Sequence, residues 1–139
     1  MTVLDLETAQ KVLDSQPFSG LVGARITEFG GGAATLEIDG REELQQQNGF
    51  LHGGVLAYAA DNALTFAAGT TLGPAVLTGG FSIQYLRPAT GTALVARAAV
   101  VHTGRRQAVA RCDLFAVGED GTESLCAVAQ GTVLSAAAS

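Results

Sequence analysis

The chain has 139 residues, 47% of them hydrophobic, with 18 glycines and no tryptophan, which suits one domain burying about two thirds of its unfolded surface. Its formal charge of −5, from 13 acids against 8 lysines and arginines, argues against nucleic acid as a partner, because phosphate recognition needs a clustered basic surface. Residues 1–16 carry acids and no long apolar run, so no secretory signal and no membrane partner are expected, and the expected location is cytoplasmic.

In chain order, residues 3–15 place Val3, Leu4, Leu6, Val12 and Leu13 among polar residues, which predicts a short amphipathic helix ended by Pro17. Residues 21–29 and 33–39 predict a hairpin around Gly30-Gly31-Gly32, with Leu36 and Ile38 inward and Thr35, Glu37 and Asp39 outward. Residues 51–71 hold no proline and are apolar nearly all round, the pattern of a buried helix, with Gly69 and Gly73-Pro74 at its exit.

Beyond Pro74, four strands are predicted over 76–87, 92–102, 107–117 and 124–134. Gly91, Gly104 and Glu119-Asp120-Gly121 punctuate them, which predicts an antiparallel meander. Ala93, Val95, Arg97, Ala99 and Val101, then Ala108, Ala110, Cys112, Leu114 and Ala116, line one face with small residues. Only the long apolar helix can fill that space, so the expected fold is α+β, a curved antiparallel sheet wrapped around one helix. The tail, residues 135–139, should fray. Cys112 and Cys126 lie in apolar strands without a CxxC spacing, which predicts inert buried thiols rather than a disulfide or zinc site.

Chemistry concentrates where the helix begins. Gln46-Gln47-Asn48-Gly49-Phe50-Leu51-His52-Gly53-Gly54 leads into it, and Gly53 and Gly54 have no side chain to shield the first-turn N–H groups. Those groups lack partners inside a helix and sit at its positive end, so they can bind an oxyanion. Two turns further in, Asp61 interrupts an alanine-rich run where a carboxylate gains nothing from burial unless it is hydrogen-bonded or used. Donors for a developing negative charge, with a carboxylate to attack or to activate water, make an acyl-transfer site. Asp61 can equally be a hydrogen-bonded acid that fixes the helix, and Gly53-Gly54 can serve only close packing. No HExxH or HxxxH spacing, acidic cluster, phosphate loop or GxSxG elbow accompanies them, and no metal or redox cofactor is expected.

Residues 45–54, the acid nine residues after the histidine, Asn62-Ala63 and Tyr85-Leu86-Arg87-Pro88-Ala89 together resemble the PaaI-like acyl-CoA thioesterases of the hotdog fold, a likeness covering roughly residues 17–134. The resemblance implies that Asp61 is nucleophile or general base and that the Gly53 N–H polarises the thioester carbonyl. Gln46 stands where many relatives have asparagine and others glutamine, and would position water or the thioester. It implies that His52 braces the loop or contacts the ligand and that Asn48 and Gly54 lie against the substrate. Thr65, one turn beyond Asp61, and Thr78 would help order the water, although a helical threonine commonly bonds the backbone a turn earlier. Arg87, Arg105 and Arg106 are candidates for the coenzyme A phosphates, against the alternative of a solvated turn for the latter two.

The resemblance further implies sites shared between two subunits of a homodimer, often paired into a tetramer. It leaves the acyl group open among aryl-acetyl, benzoyl and medium-chain groups, with Phe50, Leu51, Tyr58, Phe66 and Phe81 as pocket candidates. A hotdog hydratase or dehydratase and a non-catalytic acyl-CoA binding or sensing domain are the competing expectations.

Overall fold

In the computed structural model, which describes residues 4–137, Asp5 opens the first helix, α1 (Leu6–Asp14), by accepting the Thr8 N–H at 2.9 Å. The cap satisfies one orphan donor of the first turn, and the helix turns Ala9 and Leu13 inward. Val3, at the expected start of this helix, lies outside the described residues. Pro17 does not merely end α1; it begins a second helix, α2 (Pro17–Val22). Proline at the first helical position loses no hydrogen bond, and its fixed φ suits a helix start. Arg41 donates to the α2 carbonyls of Leu21 and Val22, both at 2.9 Å, and Gly23 ends the helix at φ +82°. Leu21 and Val22 are therefore helical, and the first strand starts later than expected.

That strand, β1 (Arg25–Gly30), pairs with β2 (Ala33–Asp39) around the predicted glycine turn. Leu36 and Ile38 are fully buried. Thr35 lies on the outer face as expected, opposite Glu28 and Arg97, but is covered there, its hydroxyl donating to Glu28 at 3.0 Å across the hairpin. A 3₁₀ turn, Glu42–Leu44, and a loop then lead to α3 (Gly53–Leu72), the long buried helix. Its Ala59, Ala60, Ala63, Leu64, Ala67 and Ala68 are all buried. Ala96, Ala98 and Ala110 on the sheet are buried too, so small side chains meet small side chains and the helix lies close to the sheet.

The remaining strands are β3 (Val76–Tyr85), β4 (Ala93–Thr103), β5 (Gln107–Val117) and β6 (Glu123–Ser135), giving an antiparallel sheet of order β1-β2-β4-β5-β6-β3. Only β4-β5-β6 form the expected meander; β3 lies at the far edge, beside β6. After Tyr85 the backbone does not turn back. Leu86 and Arg87 donate to Cys126 O, Pro88 has no N–H to give, and Ala89 O accepts from Leu51, so the segment crosses the start of α3 before reaching β4.

The predicted inward face of β5 is correct, but that of β4 is reversed: Leu94, Ala96 and Ala98 face α3, while Arg97, Ala99 and Val101 are exposed. Residues directly opposite in an antiparallel pair share a face, and the register sets Ala96 against Leu114 and Ala98 against Cys112. Both cysteines are free and buried, and burial pushes the Cys112 thiol up to about 12. At the tail, Ser135 N–H bonds Arg106 O and Ala136 N–H bonds Ala75 O, so this part is tied to the sheet; residues 138–139 lie outside the described residues. No described helix is long and apolar enough to cross a membrane.

Candidate active site

The loop before α3 is held by its own backbone: Gln46 N–H to Phe50 O at 2.8 Å, Gly49 N–H to Gln46 O at 3.1 Å and His52 N–H to Leu44 O at 2.9 Å. Gly49 takes φ +83°, which a side chain would resist. The Gln46 side-chain oxygen accepts the Asn48 N–H, which fixes the amide orientation and leaves its NH2 to donate.

His52 caps the helix, its Nδ1 accepting the Gly54 N–H at 2.8 Å. In the neutral ring the proton therefore sits on Nε2. His52 O takes the Val55 and Leu56 N–H groups. Of the two glycine donors expected to be bare, Gly54 is thus occupied, and only the Gly53 N–H has no partner among the described residues. Tyr85 fixes that glycine: its hydroxyl donates to Gly53 O at 2.9 Å, and a Cβ on Gly53 would sit 3.4 Å from the ring. Gln46, Gly53, Tyr85 and Arg87 line one open pocket together with Phe50 and Leu51.

Asp61 builds a second cluster, on the half-buried flank of α3. Thr78 Oγ1 donates to Asp61 Oδ1 at 2.5 Å. Thr65 Oγ1 lies 2.8 Å from Asp61 O, 3.5 Å from Asp61 Oδ1 and 2.7 Å from Thr78 Oγ1. Thr65 therefore bonds the preceding turn and also reaches the carboxylate cluster. Asp61 Oδ2 has no hydrogen-bond partner among the described residues. Thr78 owes its aim to a bulge at Gly79, where the register with β6 shifts between Thr78 and Gly80. Val76 and Thr78 face α3 before the bulge, and Phe81 and Ile83 after it. A Cβ on Gly79 would lie 3.2 Å from Leu134 and 3.3 Å from Thr132 O, so a side chain there would crowd β6.

The other candidates fall in different places. Asn48 is exposed at the loop tip. Arg105 and Arg106 are exposed in the β4–β5 turn, which sits at the C-terminal end of α3 through Thr103 and Thr71. A helix of 20 residues is about 30 Å long, so these two arginines do not cluster with Arg87 in one chain. Tyr58 donates to Ser19, linking α3 to α2, and Phe81 packs against the core. Tyr85 as a support for Gly53 went unpredicted; the Gly79-Gly80 pair inside a strand was the one visible signal for the bulge that aims Thr78.

A family model described as the thioesterase superfamily matches residues 48–122. A thioesterase family protein from Silicibacter pomeroyi is 33% identical, covers 91% of this chain and 93% of its own, and superposes with a TM-score of 0.85. A mutant of the phenylacetic acid degradation protein PaaI from Thermus thermophilus is 31% identical over 86% of this chain and 98% of its own, with a TM-score of 0.74. The E. coli PaaI protein, 21% identical, shares the fold, covering 96% of this chain and 94% of its own at a TM-score of 0.80.

Proposed function

Since the chain belongs to the thioesterase superfamily, we propose that it hydrolyses an acyl-CoA thioester to a carboxylic acid and free coenzyme A, with Asp61 as the acting carboxylate. The observation that carries this reading is the asymmetry of that side chain: Oδ1 is tethered by Thr78, and Oδ2 is left to react. Oδ2 either takes a proton from water as the water oxygen bonds to the carbonyl carbon, or bonds to that carbon itself and is released by water from the resulting anhydride. In both routes the carbon–sulfur bond breaks, and the sulfur leaves with the electron pair and is protonated. The thiolate is a good leaving group, so one carboxylate and a pair of oxyanion donors suffice. Gly53 N–H and the Gln46 amide supply those donors.

One chain cannot do this alone. Asp61 lies eight residues along α3 from Gly53, about 12 Å, too far for both to reach one carbonyl. A second copy of this chain would complete the site, with Asp61 of one facing Gly53 and Gln46 of the other. The edge strand β3 supports this assembly: it carries exposed Leu77 and Tyr85, and its outer backbone groups are free to pair. The proposed assembly is a homodimer, or two dimers joined as a tetramer. Arg87, beside Gln46 and Gly53, is the arginine best placed for the coenzyme A phosphates. Two free, buried cysteines support a reducing, cytoplasmic setting.

The test is thiol release by wild-type and Asp61→Asn protein across aryl and aliphatic acyl-CoAs, with folding and oligomer size measured in parallel. The variant should lose turnover by about 10³-fold while staying folded. Near-wild-type turnover would sink the assignment, and acyl-CoA binding without hydrolysis by the wild type would leave a binding domain in its place.

A further inference from the structure

Between α1 and the C-terminal half of α3 lies a pocket of about 150 Å³. Val12 of α1, Phe29, Phe66, Gly69 and Val76 are among the residues that line it. The two phenyl rings meet edge to face, with centroids 6.3 Å apart. Thr65 lines the same pocket while its hydroxyl touches Thr78 and approaches Asp61, so the pocket adjoins the carboxylate cluster through Thr65. A mostly apolar pocket of about this volume has room for one benzene ring.

Gly69 bears on what the pocket is for. It sits in the last turns of a buried helix, where glycine is disfavoured relative to alanine. No backbone requirement accounts for it, because it is not among the residues with positive φ. Packing does not require it either: the nearest atom to a Cβ there would be Val76 Cγ2, at 4.0 Å. What the missing side chain provides is volume inside the pocket.

We infer that this pocket receives the acyl end of the thioester and that Gly69 and Phe66 set the size it accepts. The inference rests on hydrolysis at Asp61. The accepted group is one six-membered ring or an aliphatic chain of about six carbons, and long unbranched chains are excluded.

The experiment compares kcat/KM for acetyl-, hexanoyl-, benzoyl- and dodecanoyl-CoA in the full-length wild type, Gly69→Ala, Gly69→Leu and Phe66→Ala, with thermal unfolding of each. The wild type should prefer the benzoyl and hexanoyl thioesters to dodecanoyl by about 10-fold or more. Gly69→Leu should lower the benzoyl-to-acetyl ratio by about 100-fold, and Phe66→Ala should raise the dodecanoyl-to-benzoyl ratio by about 10-fold. Should Gly69→Leu fail to fold, Gly69→Ala decides through a smaller fall in the same ratio. Unchanged ratios in folded, hydrolysing variants overturn the pocket assignment and leave the hydrolase reading standing. No hydrolysis of any of the four by the wild type overturns both.

Discussion

Thr78 Oγ1 donates to Asp61 Oδ1 at 2.5 Å, joining the edge strand β3 to the middle of α3. A hydroxyl has one proton, and Thr65 and Thr78 together supply two for three short contacts: Thr78 to the carboxylate, Thr65 to Asp61 O and the contact between the hydroxyls. With Thr78 bonded to Asp61, the Thr65 proton is shared between Thr78 Oγ1 and the helix carbonyl. The carboxylate is thereby held by one oxygen in a defined orientation.

Removing that donor should disorient Asp61 without unfolding the protein. Thr78→Val is expected to lower kcat by about 10- to 100-fold with KM little changed, and Thr78→Ser to restore most of the loss. The check is steady-state thiol release beside circular dichroism; equal activity in all three proteins would remove Thr78 from the site.

Gln46 offers a cleaner dissection, because its oxygen holds the loop while its NH2 has no partner among the described residues. Gln46→Glu keeps an acceptor for the Asn48 N–H but replaces the donor with negative charge where an oxyanion would form. Turnover should fall by about 10²- to 10³-fold, with the unfolding midpoint close to that of the wild type.

If the two half-sites come from different chains, two inactive variants should rescue each other. Asp61→Asn and Gln46→Glu proteins, mixed after reversible dissociation, would form hybrid dimers with one intact and one doubly damaged site. Random assortment then predicts roughly a quarter of wild-type activity. A mixture no more active than its components would place the whole reaction within one chain.

Buried thiols predict a loss of stability in alkali. Burial raises Cys112 from 9.0 to about 12 and also raises Cys126 and the Tyr58 phenol. The unfolded thiol ionises first, so the stability that Cys112 lends is complete below pH 9 and is lost as pH rises toward 12. Urea unfolding should show stability falling by roughly 1 kcal/mol per pH unit above pH 9 from this group, a slope that Cys112→Ala reduces. The native thiols should resist alkylation at neutral pH.

How far the fold could be read from residues depended on the range of the interactions involved. The hairpin at Gly30-Gly31-Gly32, the β4–β5–β6 strands and the long helix were legible, since glycine turns, two-residue alternation and a proline-free apolar run are local patterns. The second role of Pro17 was hidden, because proline ends one helix and starts another with the same fixed φ. In the site, Asp61 and Gly53 stood out as chemistry out of place in an apolar context. The capture of the Gly54 N–H by His52, and the support of Gly53 by Tyr85, depend on ring orientation and on a contact across 32 residues.

By itself, then, the sequence determined the helices α1 and α3 and the existence of each strand, that α3 is buried, and that one carboxylate lies two turns beyond a glycine helix start. Those follow from backbone preference and periodicity, which act between near neighbours. Only the tertiary structure decided that β3 pairs with β6, which face of β4 looks inward, that a bulge at Gly79 turns Thr78 onto Asp61, and that α1 and Gly69 line one pocket. Each of these is set by register and packing between residues far apart in the chain, where a shift of one residue reverses the side that a strand presents.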